Sequence, residues 1–104
     1  MPDRVIVEVD EDLSDLIPGF LTHKRADIDS IFEAVARRDY AAIGRIAHRI
    51  KGEGGSYGFD SMTEMGRSLE HAAAIRDNGS VTTLARQLLR YLDQLEVVFH
   101  PSKE

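Results

Sequence analysis

The chain has 104 residues, no cysteine, and 18 acidic against 13 basic side chains, for a formal net charge of −5. That is one domain's worth of sequence; disulfides and thiolate metal sites are excluded, and an acidic balance without any basic run argues against nucleic acid as the main partner. Hydrophobic residues at 42% and charged ones at 30% match an ordinary soluble domain. No stretch approaches the ~20 apolar residues of a membrane span. The charged segment Met1 to Asp10 lacks the apolar run of a signal peptide, so the expected location is the cytoplasm.

Val5, Val7 and Val9 alternate with Ile6, Glu8 and Asp10. The alternation fits a short strand, but a single strand has no partner in an otherwise helical chain. Residues 1–11 therefore read as an extended arm lying on the domain. Asp12 to Ile17 reads as a short turn or helix, and Pro18 fits the first turn of a longer one. From there Phe20, Leu21, Lys24, Ile28, Ile31, Phe32 and Val35 recur at three and four, which predicts one helix ending near Arg38. Arg37 and Arg38 suit the C-terminal end of its dipole.

Asp39 is the expected cap of the second helix, whose Ile43, Ile46, Ala47 and Ile50 share a face. It is expected to run to about Gly55, before a tight turn. Ser61-Met62-Thr63-Glu64 is a capping-box pattern, followed by a stripe of Met62, Met65, Leu69, Ala72 and Ala73 and a stop at Asn78-Gly79. Ser80 is the expected cap of the fourth helix, with Leu84, Leu88, Leu92, Leu95 and Phe99 inward and Pro101 at its end. Short connections make neighbouring helices antiparallel. The expected architecture is all-α: an up-down antiparallel four-helix bundle over residues 12–100, with a short extra N-terminal segment and a tail at 101–104.

The second helix carries the chemistry. With Ile43 set at zero and ~100° per residue, Ile46, Ala47, Ile50 and Gly54 fall within about 60° and form the buried stripe, while His48 lies about 140° away and points outward. Gly44, Lys51, Gly52 and Gly55 lie within about 60° of His48, and Arg45 stands at a similar distance on its other side. Three glycines on one outer face cost roughly 1 kcal/mol each against alanine. The simplest return is close approach of another molecule to the histidine. An exposed imidazole is mostly neutral at pH 7 and offers a ring nitrogen as nucleophile. Lys51, one turn along, can offset the charge of a transferring phosphoryl group. Gly52-Glu53-Gly54-Gly55 is followed by Ser-Tyr and preceded by no buried strand, so a P-loop is excluded and the phosphoryl donor must be another protein.

The run His48-Arg49-Ile50-Lys51-Gly52, with Gly58-Phe59 after it, resembles the motif of the histidine phosphotransfer (HPt) domains of two-component phosphorelays. Leu69-Glu70 resembles the family's later Leu-Glu pair, and Leu16-Ile17-Pro18 with Phe20-Leu21 its opening helix. The resemblance implies a bundle whose exposed histidine accepts a phosphoryl group from a receiver-domain aspartate and passes it to another. It implies His48 as the phosphorylated residue, Lys51 as the phosphate-side cation and Gly52 as the gap admitting a receiver. Gly44, Arg45 and Gly55 extend the expected partner face. Glu53 departs from the small residue the family favours there, and sits about 140° from His48.

Glu70 reads as a structural or surface carboxylate, and His23, His71 and His100 as incidental. No His-x-x-x-His or Glu-x-x-His pair supports a metal, and no cofactor is implied. The expected protein is a monomeric phosphocarrier rather than a kinase or other enzyme. Its expected partners are receiver domains and a hybrid sensor histidine kinase, with neither nucleic acid nor membrane. The alternative is a non-phosphorylated adaptor that uses the same bundle only to bind a receiver or kinase domain.

Overall fold

A computed structural model describes residues 4–102; residues 1–3 of the expected arm and 103–104 of the expected tail lie outside them. Strand β1 (Val5–Asp10) leads through a 3₁₀ turn at Glu11–Leu13 into helices α1 (Ile17–Arg37), α2 (Tyr40–Ser56), α3 (Asp60–Ala74) and α4 (Asn78–Gln94), and strand β2 (Leu95–His100) closes the order. Four helices joined by connections of a few residues form the expected up-down bundle. Ile28, Ile31, Ile43, Ile50, Phe59, Met62, Leu69 and Leu88 form the centre of its core. Of the α2 stripe, Ile43, Ala47, Ile50 and Gly54 are buried and Ile46 half-buried.

The arm and the end of the last helix differ from expectation for one shared reason. Val5–Asp10 is a strand, and its partner is the segment expected to continue the fourth helix: β1 and β2 pair in parallel with Val5 opposite Leu95 and Val9 opposite Phe99. Helix α4 stops at Gln94, Leu95 is half-buried against the core, and Phe99 is 42% exposed rather than inward. The spacing Leu92, Leu95, Phe99 suits a helix, but Val97-Val98-Phe99 suits a pleated ladder better once a partner is present. Val5, Val7, Leu95 and Val97 pack against the bundle, so one face of the ribbon is anchored.

Two helix starts also differ. Helix α3 follows Phe59, with no side-chain cap, so the Ser61–Glu64 capping box is not formed. Gly58 turns the chain at φ +87° and the Phe59 side chain is fully buried, which fixes the start one residue before Ser61. Asp60 then lies in the first turn, where a carboxylate suits the dipole. Asn78 and Gly79 do not stop α3; they are the first turn of α4, capped by Asp77, which accepts from Ser80 N at 3.1 Å. Ser80 is therefore the residue being capped. The α1–α2 turn has the same form: Arg38 in the left-handed region (φ 54°), then Asp39 accepting from Ala42 N, just as Arg76 (φ 57°) precedes Asp77.

Helices α2 and α3 approach closely because of two glycines. A Cβ on Gly66 would stand 2.7 Å from Lys51 N and 2.9 Å from Lys51 Cα, and one on Gly54 would stand 3.1 Å from Met62 Cβ. Thr63 Oγ1 adds a hydrogen bond of 3.0 Å to the Lys51 carbonyl. Gly66→Ala is expected to lower stability by about 2 kcal/mol by forcing the two helices apart. Gly44→Ala, with nothing within 4 Å of the new methyl, is expected to raise it by up to ~1 kcal/mol. Urea denaturation of the two variants gives the comparison; equal effects would remove Gly66 from its role as spacer.

Candidate functional site

Helix α2 turns His48 outward, as its wheel requires, and the side chain is 70% exposed. Lys51 lies one turn along the same face and is 28% exposed. What joins them is Glu70 on α3. Its Oε2 stands 2.8 Å from His48 Nδ1 and its Oε1 stands 2.7 Å from Lys51 Nζ. Gly66 is one turn before Glu70, so the closest helix approach sits directly beside the carboxylate.

A carboxylate only accepts, so His48 Nδ1 is the donor and carries the proton. In the neutral ring the lone pair then lies on Nε2, which makes no hydrogen bond among the described residues. Hydrogen bonds from Lys51 and then from His48 hold the Glu70 carboxyl below the usual glutamate range. The folded chain thus binds a proton at Glu70 less readily than the unfolded chain. The contacts of its ionised form are present at neutral pH and are lost as pH falls through that lowered value.

The other expected site residues fall on the same face with differing surroundings. A Cβ on Gly44 or Gly52 would meet nothing within 4 Å, so α2 is bare on both sides of the histidine. At Gly55 a Cβ would meet Thr63 Oγ1 at 3.3 Å, so this glycine also serves the α2–α3 approach. Arg45 is exposed and pairs with no carboxylate among the described residues.

Glu53 turns away from His48. It pairs with Lys24, whose side chain is 3% exposed, and Lys24 Nζ also lies 2.7 Å from Asp27 Oδ2. Arg49 reaches Asp27 at 2.6 Å and Glu53 at 4.0 Å, so four charges of alternating sign join α1 to α2. A buried ammonium without partners would be strongly unfavourable, and here it has two. Tyr57 packs on Phe20 with ring centroids 4.4 Å apart, covering the end of the same seam.

Sequence reasoning missed Glu70 and Gly66. Glu70 had a signal in the Leu69-Glu70 pair, but nothing local to α3 says which residue of α2 it faces. Gly66 had one too: it continues the buried stripe between Met62 and Leu69, where a helix-interior glycine points to a close neighbour.

Among comparisons with known proteins, a family model described as Hpt domain matches residues 6–97, most of the chain. No curated protein and no solved structure is matched. The span runs from Ile6 in β1 through the four helices to Val97 in β2.

The His48–Glu70 contact is open to a direct check. In ¹⁵N spectra near pH 8, the His48 ring is expected to populate mainly the Nδ1–H tautomer, whereas Glu70→Ala is expected to restore the usual mixture dominated by Nε2–H. An unchanged spectrum in the variant would remove Glu70 as the group that orients the ring.

Proposed function

Because this chain belongs to the Hpt domain family, whose role is phosphocarrier in phosphorelays with receiver domains and kinases, we propose that His48 is the residue through which it relays phosphoryl groups between receiver aspartates. The observation that carries the reading is the single carboxylate of Glu70 held between His48 Nδ1 and Lys51 Nζ. It leaves Nε2 as the outward nucleophile and keeps a cation beside it.

In the proposed step the Nε2 lone pair attacks the phosphorus of an aspartyl phosphate. The N–P bond forms, the P–O bond to the aspartyl oxygen breaks, and the aspartate leaves as a carboxylate. The ring becomes a phosphoimidazolium whose Nδ1–H remains on Glu70, which offsets the positive charge. Transfer onward is the reverse step toward a second receiver. Lys51 stabilises charge on the phosphoryl oxygens in both directions. No nucleotide is needed at any point, so the chain acts as a carrier rather than a kinase. The bare α2 surface at Gly44, Gly52 and Gly55 admits the receiver, and Arg45 meets its negative charge.

The test is transfer from phosphorylated receivers. Wild type is expected to take up label that is acid-labile and base-stable, and His48→Gln to take up none. Lys51→Met is expected to slow transfer about 10- to 100-fold while leaving the site of labelling unchanged. Label persisting in His48→Gln would sink the assignment of that residue. No label from any receiver, with binding retained, would leave the adaptor reading instead.

A further inference from the structure

The ribbon of β1 and β2 is a sheet of two strands among the described residues, so each strand has one edge without a neighbouring strand. Parallel ladders are usually covered by other elements, and two strands alone are marginal in water. Outside its ladder with β1, the stretch Glu96 to His100 makes no backbone hydrogen bond among the described residues. The N–H and C=O groups of β2 that face away from β1 are therefore open to a further strand. The same stretch holds Val98 at 40% and Phe99 at 42% exposure, and Ile6, paired with Glu96, is 62% exposed. Neither Lys nor Pro interrupts β2 before Pro101.

We infer that the β2 edge is where a second copy of this chain binds. Its own β2 lies antiparallel to the first about a two-fold axis at Val98, and the two ribbons become one four-stranded sheet in the order β1-β2-β2-β1. The inference goes beyond the phosphotransfer reading and does not depend on it. The monomer expected from the sequence is then the dilute form.

The occupant is a second copy because β2 reads as its own complement. With Val98 opposite Val98 of the second copy, Val97 falls opposite Phe99 and Glu96 opposite His100. Apolar residues meet apolar ones, and each carboxylate meets the one side chain of the strand able to carry positive charge. Glu96 gives Oε1 to Arg4 and leaves Oε2 without a partner among the described residues, and His100 uses Nδ1 on the Pro101 carbonyl and leaves Nε2. Phe99 shares the bundle side with Leu95 and Val97 by alternation, yet it extends past the cover of the bundle; Val97 of the second copy supplies that cover. An axis at Val97 would set Glu96 against Val98, and one at Phe99 would bring Pro101, which has no N–H, into the ladder. The β1 edge is less suited. Val9 is 2% exposed, Asp10 already accepts from Asp12 N and Ser102 Oγ, and Arg4 is held by Glu96. The ribbon lies at the end of the bundle where α4 stops and α2 turns into α3, whereas His48 is at the middle of α2.

Sedimentation equilibrium of the full chain reads the association. Wild type is expected to rise from 11.6 kDa toward about twice that mass between about 10 µM and about 1 mM. Val98→Lys sets a lysine beside Glu8 within the ribbon, which suits the fold, but it sets two lysines opposite each other across the axis and is expected to stay monomeric. Val98→Glu is expected to stay monomeric as well, and an equimolar mixture of the two variants to recover the dimer mass. The chain has no cysteine, so Val98→Cys reports the axis directly. Mild oxidation is expected to link it into a disulfide dimer about tenfold faster than Ile75→Cys, whose position is more exposed at 59% but lies at the other end of the bundle. Wild type that stays at 11.6 kDa up to about 1 mM would overturn the inference and leave the edge to a strand of another protein. Association of Val98→Lys equal to that of wild type, no recovery in the mixture, or equal cross-linking rates would overturn it too.

Discussion

The approach of α3 to α2 at Gly66 is the constraint on which the site depends. A methyl group there would overlap the backbone of Lys51, so the helices reach their observed separation only because residue 66 has no side chain. That separation decides the chemistry. Glu70 is one turn further along α3, and its carboxylate spans the gap to reach His48 at 2.8 Å and Lys51 at 2.7 Å. Moving α3 outward by the width of a methyl would take the carboxylate out of hydrogen-bond range of at least one of them. Thr63 on the Lys51 carbonyl and Gly54 against Met62 hold the same seam on the side toward the α2–α3 turn.

The opposite flank of α2 is set by charge rather than by close packing. Lys24 lies in an apolar stripe and is buried there, which is tolerable only because Asp27 and Glu53 meet its ammonium. Arg49 closes the ring on the solvent side. Glu53 is thereby committed to α1, and no carboxylate of α2 competes with Glu70 for Lys51. A carboxylate facing His48 would repel an incoming phosphoryl anion; here the geometry sends Glu53, five positions on, to the far side, where it pairs with Lys24.

Much of this was legible in the sequence where the controlling physics is local. The α2 wheel placed Ile43, Ala47, Ile50 and Gly54 inside and His48 outside, because a helix fixes side-chain direction by spacing alone. Lys24 was read on the buried face of α1 by the same spacing, although its partner Glu53 is 29 residues away and could not be paired from periodicity. The strand ribbon shows the limit more sharply. Val5 and Leu95 are partners 90 positions apart, and each run alone has a plausible non-strand reading. Asp39 caps α2 as its position in the sequence suggests, but the expected caps at Ser61 and Ser80 are not formed: Ser61 is a good cap in isolation, yet burial of Phe59 sets where α3 begins. Glu70 was visible as a residue and invisible as a contact, since its role depends on the α2–α3 distance.

One carboxylate serving two groups also limits how the site can respond to a phosphoryl group. Before transfer, Glu70 divides its two oxygens between an imidazole N–H and an ammonium, and both hold it ionised. In the proposed phosphorylated state the ring is positively charged and binds the carboxylate more strongly through Nδ1–H, while the ammonium gains a second anion, the phosphoryl group, to attend. The interactions would therefore trade places: Glu70 shifts toward the cationic ring of His48 as Lys51 shifts toward phosphate. Neither movement needs a helix to move, since both groups already share one carboxylate on a rigid seam. Such preorganisation lowers the reorganisation required in either direction. A carrier that must release its phosphoryl group as readily as it accepts one benefits from that symmetry more than from tight stabilisation of either state.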